Sequence, residues 1–237
     1  MSPFTQVAQD QVGQLGERAL IHSIRDWLGD SGRPTPEGIG DDAAVIALEP
    51  GKLAAAKDCL VYGKHFDANT APGLAGAKLL KRNLSDLAAM GARPSHALLA
   101  CMLPSNLNLE WLQRFYEGIR DCSLAYHVTV VGGDVTSTFK DLAFSLTLLG
   151  ICPDRPLPRK TARPGDSLWV TGSLGGSLRS KHLHFEPRLK EGAWLAGNAA
   201  VSSAIDVSDG LGTDLLNLCP SHCDVILELS KLPLSED

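Results

Sequence analysis

Residues 83–92 read NLSDLAAMGA, and the rest of the chain can be arranged around this stretch. It closes a run that begins at Pro72 and is typical of a helix, because three leucines recur at helical spacing: Leu80, Leu84 and Leu87. Gly91 predicts the end of that helix. Asp86 lies on a different face from the leucines, so the pattern predicts a carboxylate mounted on a rigid element. Taken alone, Asp86 is better explained as a solvated helical aspartate.

The composition limits the classes of function. The chain has 237 residues, of which 44% are hydrophobic, enough for one large or two modest domains. Its net charge of −5 disfavours nucleic acid or an anionic membrane as a partner. No apolar run reaches the length of a membrane helix and no leader pattern is found, so a cytoplasmic protein is expected. The six scattered cysteines favour buried thiols over disulfides or a metal site.

Helical and strand patterns alternate along the chain, which predicts an α/β (α+β) protein. Helices are expected at residues 16–28, 72–90, 109–126, 188–199 and 210–218. Strands are expected at residues 43–48, 52–61, 97–103, 128–131, 142–151, 167–171, 204–207 and 225–229. The first two strands are predicted to form a hairpin through the turn at 49–51. The proline-rich, basic segment 153–164 is interpreted as a linker between two domains.

Acidic residues recur where these predicted elements begin or end: Asp41, Asp42, Asp58, Asp86, Asp134, Asp206 and Asp209. Carboxylates gathered at the ends of buried strands are costly unless cations neutralise them. Mg²⁺ prefers oxygen ligands and commonly takes one or two carboxylates together with substrate phosphates. Neighbouring glycines, and Ser208 as the predicted N-cap of a helix, would offer N–H groups to an anion. Each place alone is also explained by a loop cap, but together they predict metal ions that coordinate a polyphosphate.

Six motifs carry a resemblance to a known family: GIGDDAA (38–44), VYGKHF (61–66), NLSDLAAMGARP (83–94), GGDVTS (132–137), ARPGD (162–166) and IDVSDGL (205–211). In this order they resemble the thiamine-monophosphate kinases, which belong to the PurM-like, AIR synthetase-related ATP-binding superfamily. The resemblance covers about residues 15–232. The sequence has no G-x-x-x-x-G-K-[ST] loop, which agrees with the different nucleotide site of that family.

The resemblance implies a kinase of thiamine diphosphate biosynthesis that transfers a phosphoryl group from ATP to thiamine monophosphate with the help of Mg²⁺. The implied Mg²⁺ ligands are Asp42, Asp58, Asp86, Asp134, Asp206 and Asp209. The implied ATP contacts are Gly133, Asp134, Arg159, Ser208 and, as a weaker candidate, Tyr116. His65 is implied to bind the substrate. No general base is expected, because the attacking phosphate is already anionic. Without the resemblance, His65 would be interpreted as a core histidine and Arg159 as part of a solvated basic loop.

The resemblance also implies the domain organisation. Residues 1–152 would form a PurM-like N-terminal domain, with a mixed sheet backed by helices, that binds ATP and Mg²⁺ and forms a homodimer. Residues 153–237 would form an incomplete PurM C-terminal-like domain. The family continues beyond the position of Asp237 with a Gly-Gly-Glu-Asp-Tyr type motif, so either a fragment or a naturally short protein is expected.

The sequence departs from the family just before Asp58. Ala56 and Lys57 replace small hydroxyl residues, which removes a possible metal or phosphate ligand and adds a cation. Two alternatives to an active kinase therefore stay open: a shortened, non-catalytic paralogue that binds Mg-ATP, and a superfamily relative that phosphorylates another small-molecule oxyanion. The number of Mg²⁺ ions also stays open.

Overall fold

The computed structural model describes residues 1–32, 39, 44, 46 and 51–235. The chain divides into two compact units that interleave along the sequence. The first unit takes its residues from Met1–Pro50, Ala55–Asn83 and Pro94–Leu149, and the second takes them from Gly51–Ala54, Leu84–Arg93 and Gly150–Asp237. The domain division proposed at residue 152 stays a prediction.

Helices and strands alternate along the described chain, as the sequence predicts. The helices are α1 (Glu17–Leu28), α2 (Pro72–Ala89), α3 (Leu109–Ala125), α4 (His182–His184), α5 (Leu189–Gly197) and α6 (Leu211–Leu218). The strands are β1 (Leu53–Val61), β2 (Arg93–Pro104), β3 (Thr129–Thr138) and β4 (Ala143–Ile151). Short 3₁₀ turns occupy Ala8–Asp10, Val12–Gln14, Gly29–Ser31 and Leu229–Lys231. The α/β class is confirmed, and the five predicted helices are all present.

The described strands form one sheet in the order β1-β4-β2-β3. Strands β2 and β3 are parallel and run in register from His96 opposite Thr129 to Pro104 opposite Thr138. Helix α3 connects them, as a parallel pair requires a crossover. An irregularity between Ala97 and Leu98 leaves Val131 as an extra residue in β3, just before the glycines of GGDVTS.

Aromatic side chains fill the core of the first unit. Phe115 of α3 stacks on Phe144 of β4 with ring centroids 4.0 Å apart, and Trp111 stacks on Phe66 at 5.8 Å. Helices α2 and α3 approach so closely that a Cβ atom on Gly76 would lie 2.1 Å from the Phe115 carbonyl oxygen. The glycine in α2 is therefore a packing requirement, because any side chain there would push the two helices apart.

In the second unit, the end of α2 packs against α5. A Cβ atom on Gly192 would lie 2.0 Å from the Ala88 carbonyl oxygen, so only glycine fits at this crossing. Gly91 has φ of +70° and ends α2 in the left-handed conformation, as the sequence predicts. The guanidinium of Arg155 donates to the carbonyl oxygens of Ala196 and Val201, at 3.2 and 2.8 Å, and so holds the C-terminal end of α5.

Three predicted strands are wrong: residues 167–171, 204–207 and 225–229 form no strand. Some of their apolar side chains are largely exposed instead, with Trp169 at 91% and Ile226 at 90% exposure. An apolar run makes a strand only where a neighbouring strand accepts and donates its backbone hydrogen bonds, and these segments pair with no strand of the described sheet.

Two further expectations concern segments near the sheet. The prediction that Asp134 follows a strand end is wrong, because β3 continues through GGDVTST and Asp134 pairs with Ala100 in mid-strand. Of the predicted strand at 43–48 and the turn at 49–51, the structure describes only residues 44, 46 and 51, so this prediction is not tested. None of the described helices is long and apolar enough to cross a membrane.

Candidate functional site

Two of the recognised motifs meet at Asp206 of IDVSDGL. The Ser85 hydroxyl of NLSDLAAMGA donates a hydrogen bond to Asp206 Oδ2 at 3.1 Å across 121 residues of sequence. Arg159 Nη2 lies 3.9 Å from Asp206 Oδ1, at the outer limit of an ion pair. The Asp206 side chain is 13% exposed, whereas the Arg159 side chain is 53% exposed. The fold thus gathers a largely buried carboxylate, a hydroxyl and an accessible guanidinium from three distant segments.

The charge on Asp206 is only partly compensated. Burial raises the pKa of its carboxyl group above the usual value, and the nearby negative charge of Asp214 raises it further. The hydrogen bond from Ser85 and the positive charge of Arg159 act in the opposite direction without cancelling the effect of burial. An additional cation beside Asp206 would therefore stabilise its ionised form.

A residue that sequence reasoning missed organises the adjacent turn. Asp214 Oδ2 accepts hydrogen bonds from the backbone N–H groups of Ser208, Asp209 and Gly210, at 2.9, 3.1 and 3.1 Å. Asp214 is 3% exposed. The signal in the sequence was an aspartate four residues after Gly210, inside the first turn of α6, where negative charge is favoured.

The expectation that Ser208 caps α6 is wrong. The residue at the N-cap position is Gly210, with φ of +106°, and no side chain caps the helix there. The N–H groups expected to attract an anion are already bonded to the Asp214 carboxylate. Ser208 and Asp209 themselves are exposed.

In the first unit, Asp58 is paired with an arginine. Arg82 Nη2 lies 2.7 Å from Asp58 Oδ1, and Arg82 Nη1 donates to the Cys59 carbonyl oxygen at 2.9 Å. Both side chains of the pair are mostly shielded, with Asp58 at 21% and Arg82 at 30% exposure. The charge expected to bind a metal is therefore already compensated within the chain.

His65 lies in a positively charged neighbourhood at the end of β1. Its Nδ1 accepts the backbone N–H of Val61 at 3.0 Å, which places the imidazole proton on Nε2. Burial lowers the pKa of His65, and the charges of Arg82, Lys64 and Lys78 lower it further. Lys78 Nζ donates to the His65 carbonyl oxygen at 2.7 Å. The ring is thus a neutral N–H donor among cations, a combination suited to an anionic group.

The residues expected on and beside β3 have different environments. Asp134 is exposed on the strand. A Cβ atom on Gly133 would lie 1.8 Å from the Leu99 carbonyl oxygen, so the strand pairing itself demands glycine there. Tyr116 is 2% exposed, and its hydroxyl lies 3.0 Å from Cys101 Sγ. This tyrosine is a core residue and offers almost no surface to a nucleotide.

The other expected carboxylates differ in their exposure. Asp86 lies on α2 and is half-buried, Asp209 is exposed, and Asp42 lies outside the described residues. In the part of the chain that the structure describes, no three acidic, histidine or cysteine residues are grouped so that they would hold a metal ion. The pair that the structure does bring together, from the residues expected at the site, is Arg159 and Asp206.

Comparison with known proteins places these residues in a family. Residues 40–152 match the model of the AIR synthase related protein, N-terminal domain. The thiamine-monophosphate kinase of Rhodopirellula baltica is 41% identical over 210 residues, covering 84% of this chain and 66% of the relative. The Escherichia coli K12 enzyme of the same name is 36% identical over 245 residues, covering 93% and 74%.

A solved structure shares the fold. The complex of AaThiL with AMPPCP and TMP superposes with a TM-score of 0.67 and 30% sequence identity, covering 87% of this chain and 70% of the other. The chain spans 66% of the length of the first curated relative and 74% of the second. On the extent and identity of these matches, the chain belongs to the thiamine-monophosphate kinase family.

Proposed function

We propose that this chain catalyses the transfer of a phosphoryl group from ATP to thiamine monophosphate, giving thiamine diphosphate and ADP. The observation that carries the proposal is the contact between Ser85 and Asp206, with Arg159 beside them. This contact joins two of the motifs that carry the resemblance, and it lies beside a cation able to bind phosphate. Family membership supports the same reaction, since a related protein has been solved with AMPPCP and TMP.

Arg159 is the proposed contact to the triphosphate. Its guanidinium is half-exposed and only loosely paired with Asp206, so it can turn its planar set of N–H donors toward phosphate oxygens. Gly133, Asp134 and Ser208 remain proposed nucleotide contacts. The buried position of Tyr116 favours a role in packing over a direct contact with ATP.

His65 is the proposed contact to thiamine monophosphate. Its neutral ring would donate from Nε2, because Nδ1 is already bonded to the Val61 amide. Lys64, Lys78 and Arg82 make the potential around the ring positive, which suits the phosphate end of this substrate.

The proposed Mg²⁺ ligands remain Asp42, Asp58, Asp86, Asp134, Asp206 and Asp209. Asp206 fits this role, because its carboxylate is buried and under-compensated, whereas Asp58 would have to exchange its ion pair with Arg82. When bound, Mg²⁺ neutralises the phosphate charges that repel each other as the two substrates approach. The chain's own part is to hold the substrates in line and exclude water, with no general base.

A coupled ADP-release assay, with thiamine diphosphate measured as the product, tests the proposal. Release that depends on thiamine monophosphate, and that disappears in Asp206→Asn, is expected. Asp26→Asn is a matched control, because Asp26 is 70% exposed on α1. Release with other acceptors only would indicate a different substrate, and tight ATP binding without turnover would indicate a non-catalytic paralogue; either result would overturn the proposal.

A cytoplasmic homodimer completes the proposal. Strand β1 is an edge of the described sheet, and its side chains Leu53 and Val61 are 47% and 38% exposed. Unpaired edges of this kind are usually covered by another chain or element. Light scattering on the purified chain should give twice the mass of one protomer, and a monomeric mass would remove this part of the proposal.

A further inference from the structure

We propose that Asp214 is a positioning residue of the phosphoryl-transfer site, whose buried carboxylate fixes the turn at residues 208–210 by accepting three successive backbone N–H groups. The structural role of Asp214 stands on its contacts alone, and only its effect on the reaction rests on the proposed function. The turn follows Asp206 by two residues, so its conformation sets where the chain goes immediately after the buried carboxylate.

The contacts are unusually concentrated. One oxygen, Oδ2, accepts from the amides of Ser208, Asp209 and Gly210 at 2.9–3.1 Å. Hydrogen bonds to a carboxylate are roughly twice as strong as those between neutral groups. Asp214 is 3% exposed, so water competes little for these donors. From within the first turn of α6, the carboxylate also bonds the amide of the N-cap residue, Gly210.

Three successive amides that point at one position make a concave site of the type that commonly binds phosphate. Here the chain fills that position with its own carboxylate. A phosphate therefore cannot bind these three amides while the Asp214 carboxylate is bonded to them. Ser208 and Asp209 are themselves exposed. The three amides are therefore not available to the triphosphate, and the proposed nucleotide contact of Ser208 would come from its side chain.

Two replacements of Asp214 separate the effect of its charge from the effect of its acceptor oxygen. Replacing Asp214 by asparagine would keep its size and one acceptor oxygen but remove the charge. Replacing it by alanine would remove the acceptor as well.

Amide hydrogen exchange tests the structural half of the inference independently of activity. In Asp214→Ala, the amides of residues 208–210 should exchange at least about tenfold faster than in the native chain, because the exchange rate follows the free energy of local opening. Their exchange rates in Asp214→Asn should lie between those of Asp214→Ala and the native chain. Amides of α3 serve as the internal reference. Unchanged exchange at residues 208–210 in Asp214→Ala would overturn the inference.

Steady-state kinetics test the positioning half. At a temperature where both variants are folded, the KM for Mg-ATP should rise about tenfold in Asp214→Ala and less in Asp214→Asn, and higher Mg²⁺ should partly restore the rate. A residue that only stabilised the fold would change the amount of active protein and leave KM unaltered, so an unaltered KM would overturn the inference. If the native chain shows no transfer to thiamine monophosphate, the proposed function fails, while the exchange experiment still decides whether Asp214 holds the turn.

Discussion

Removing the Ser85 hydroxyl should destabilise the chain through Asp206. In Ser85→Ala the Asp206 carboxylate loses the hydrogen bond at 3.1 Å while remaining 13% exposed, so water replaces the lost donor poorly. Hydrogen bonds to charged groups contribute about 1.5–3 kcal/mol. Because Ser85 is only half-buried, we expect a loss of about 1.5–2 kcal/mol in the free energy of unfolding, the lower part of that range. For a chain of this length the melting temperature should fall by about 3–8 °C.

The effect should depend on pH with a defined sign. The Ser85 hydrogen bond lowers the pKa of Asp206, so its loss raises a folded-state pKa that burial already holds above the unfolded value. The folded state then binds the proton more readily than the unfolded state, and stability falls as pH rises through this interval. The destabilisation by Ser85→Ala should therefore be complete above the folded pKa of Asp206 and shrink as pH falls below it.

Thermal and urea unfolding of a double-mutant cycle measure this coupling. Ser85→Ala should cost less in an Asp206→Asn background than in the native chain, because the charged acceptor is gone. Ser23→Ala is the control, since the Ser23 hydroxyl donates to the Ala19 carbonyl oxygen within α1, a neutral acceptor. If Ser85→Ala lowered the free energy of unfolding equally in the native and Asp206→Asn backgrounds, and independently of pH, the two motifs would not interact through the charge of Asp206.

Three further changes have defined outcomes. Gly192→Ala should destabilise the chain by about 1–3 kcal/mol in urea unfolding, because its Cβ would lie 2.0 Å from a carbonyl oxygen of α2. Gly197→Ala is the control and should change stability by less than about 0.5 kcal/mol, because no described atom lies within 4 Å of its Cβ position. Equal effects of the two changes would contradict the close packing of α2 against α5. Arg82→Ala should cost about 1–3 kcal/mol, because Asp58 would keep a mostly shielded charge without its partner; a neutral result would show that the pair is not formed. Asp206→Asn should stabilise the chain above the folded-state pKa of Asp206, and this gain should shrink as pH falls below that pKa. Destabilisation above that pKa in the absence of ligand would contradict the pKa direction.

The helices could be predicted because their signals are local. The leucines of α2 repeat within one element, and Gly91 marks its end through its own backbone conformation. Strands were predicted less well, because a strand depends on a partner that local sequence does not name. Strand β3 continues through Asp134 because β2 pairs with it, whereas residues 225–229 resemble a strand and pair with none in the described sheet.

The candidate site, too, could be predicted only in part from the sequence. The resemblance identified Arg159 and Asp206, and the structure places them together. It gave no sign that Arg82 would neutralise Asp58, or that Asp214 would take the amides expected to attract an anion. The approach of Arg82 to Asp58 is decided by tertiary packing, whereas the contacts of Asp214 are local and had only the weak signal of an acidic residue in the first turn of α6.

Binding of AMPPCP by titration calorimetry, with Mg²⁺ and then with EDTA, is the most direct test of the central claim that Asp206 and Arg159 belong to a metal-dependent nucleotide site. The native chain should bind the analogue much more tightly with Mg²⁺, and Asp206→Asn should lose most of that difference while Asp26→Asn keeps it. Equal affinity with and without Mg²⁺ in the native chain, or an undiminished Mg²⁺ effect in Asp206→Asn, would contradict the claim.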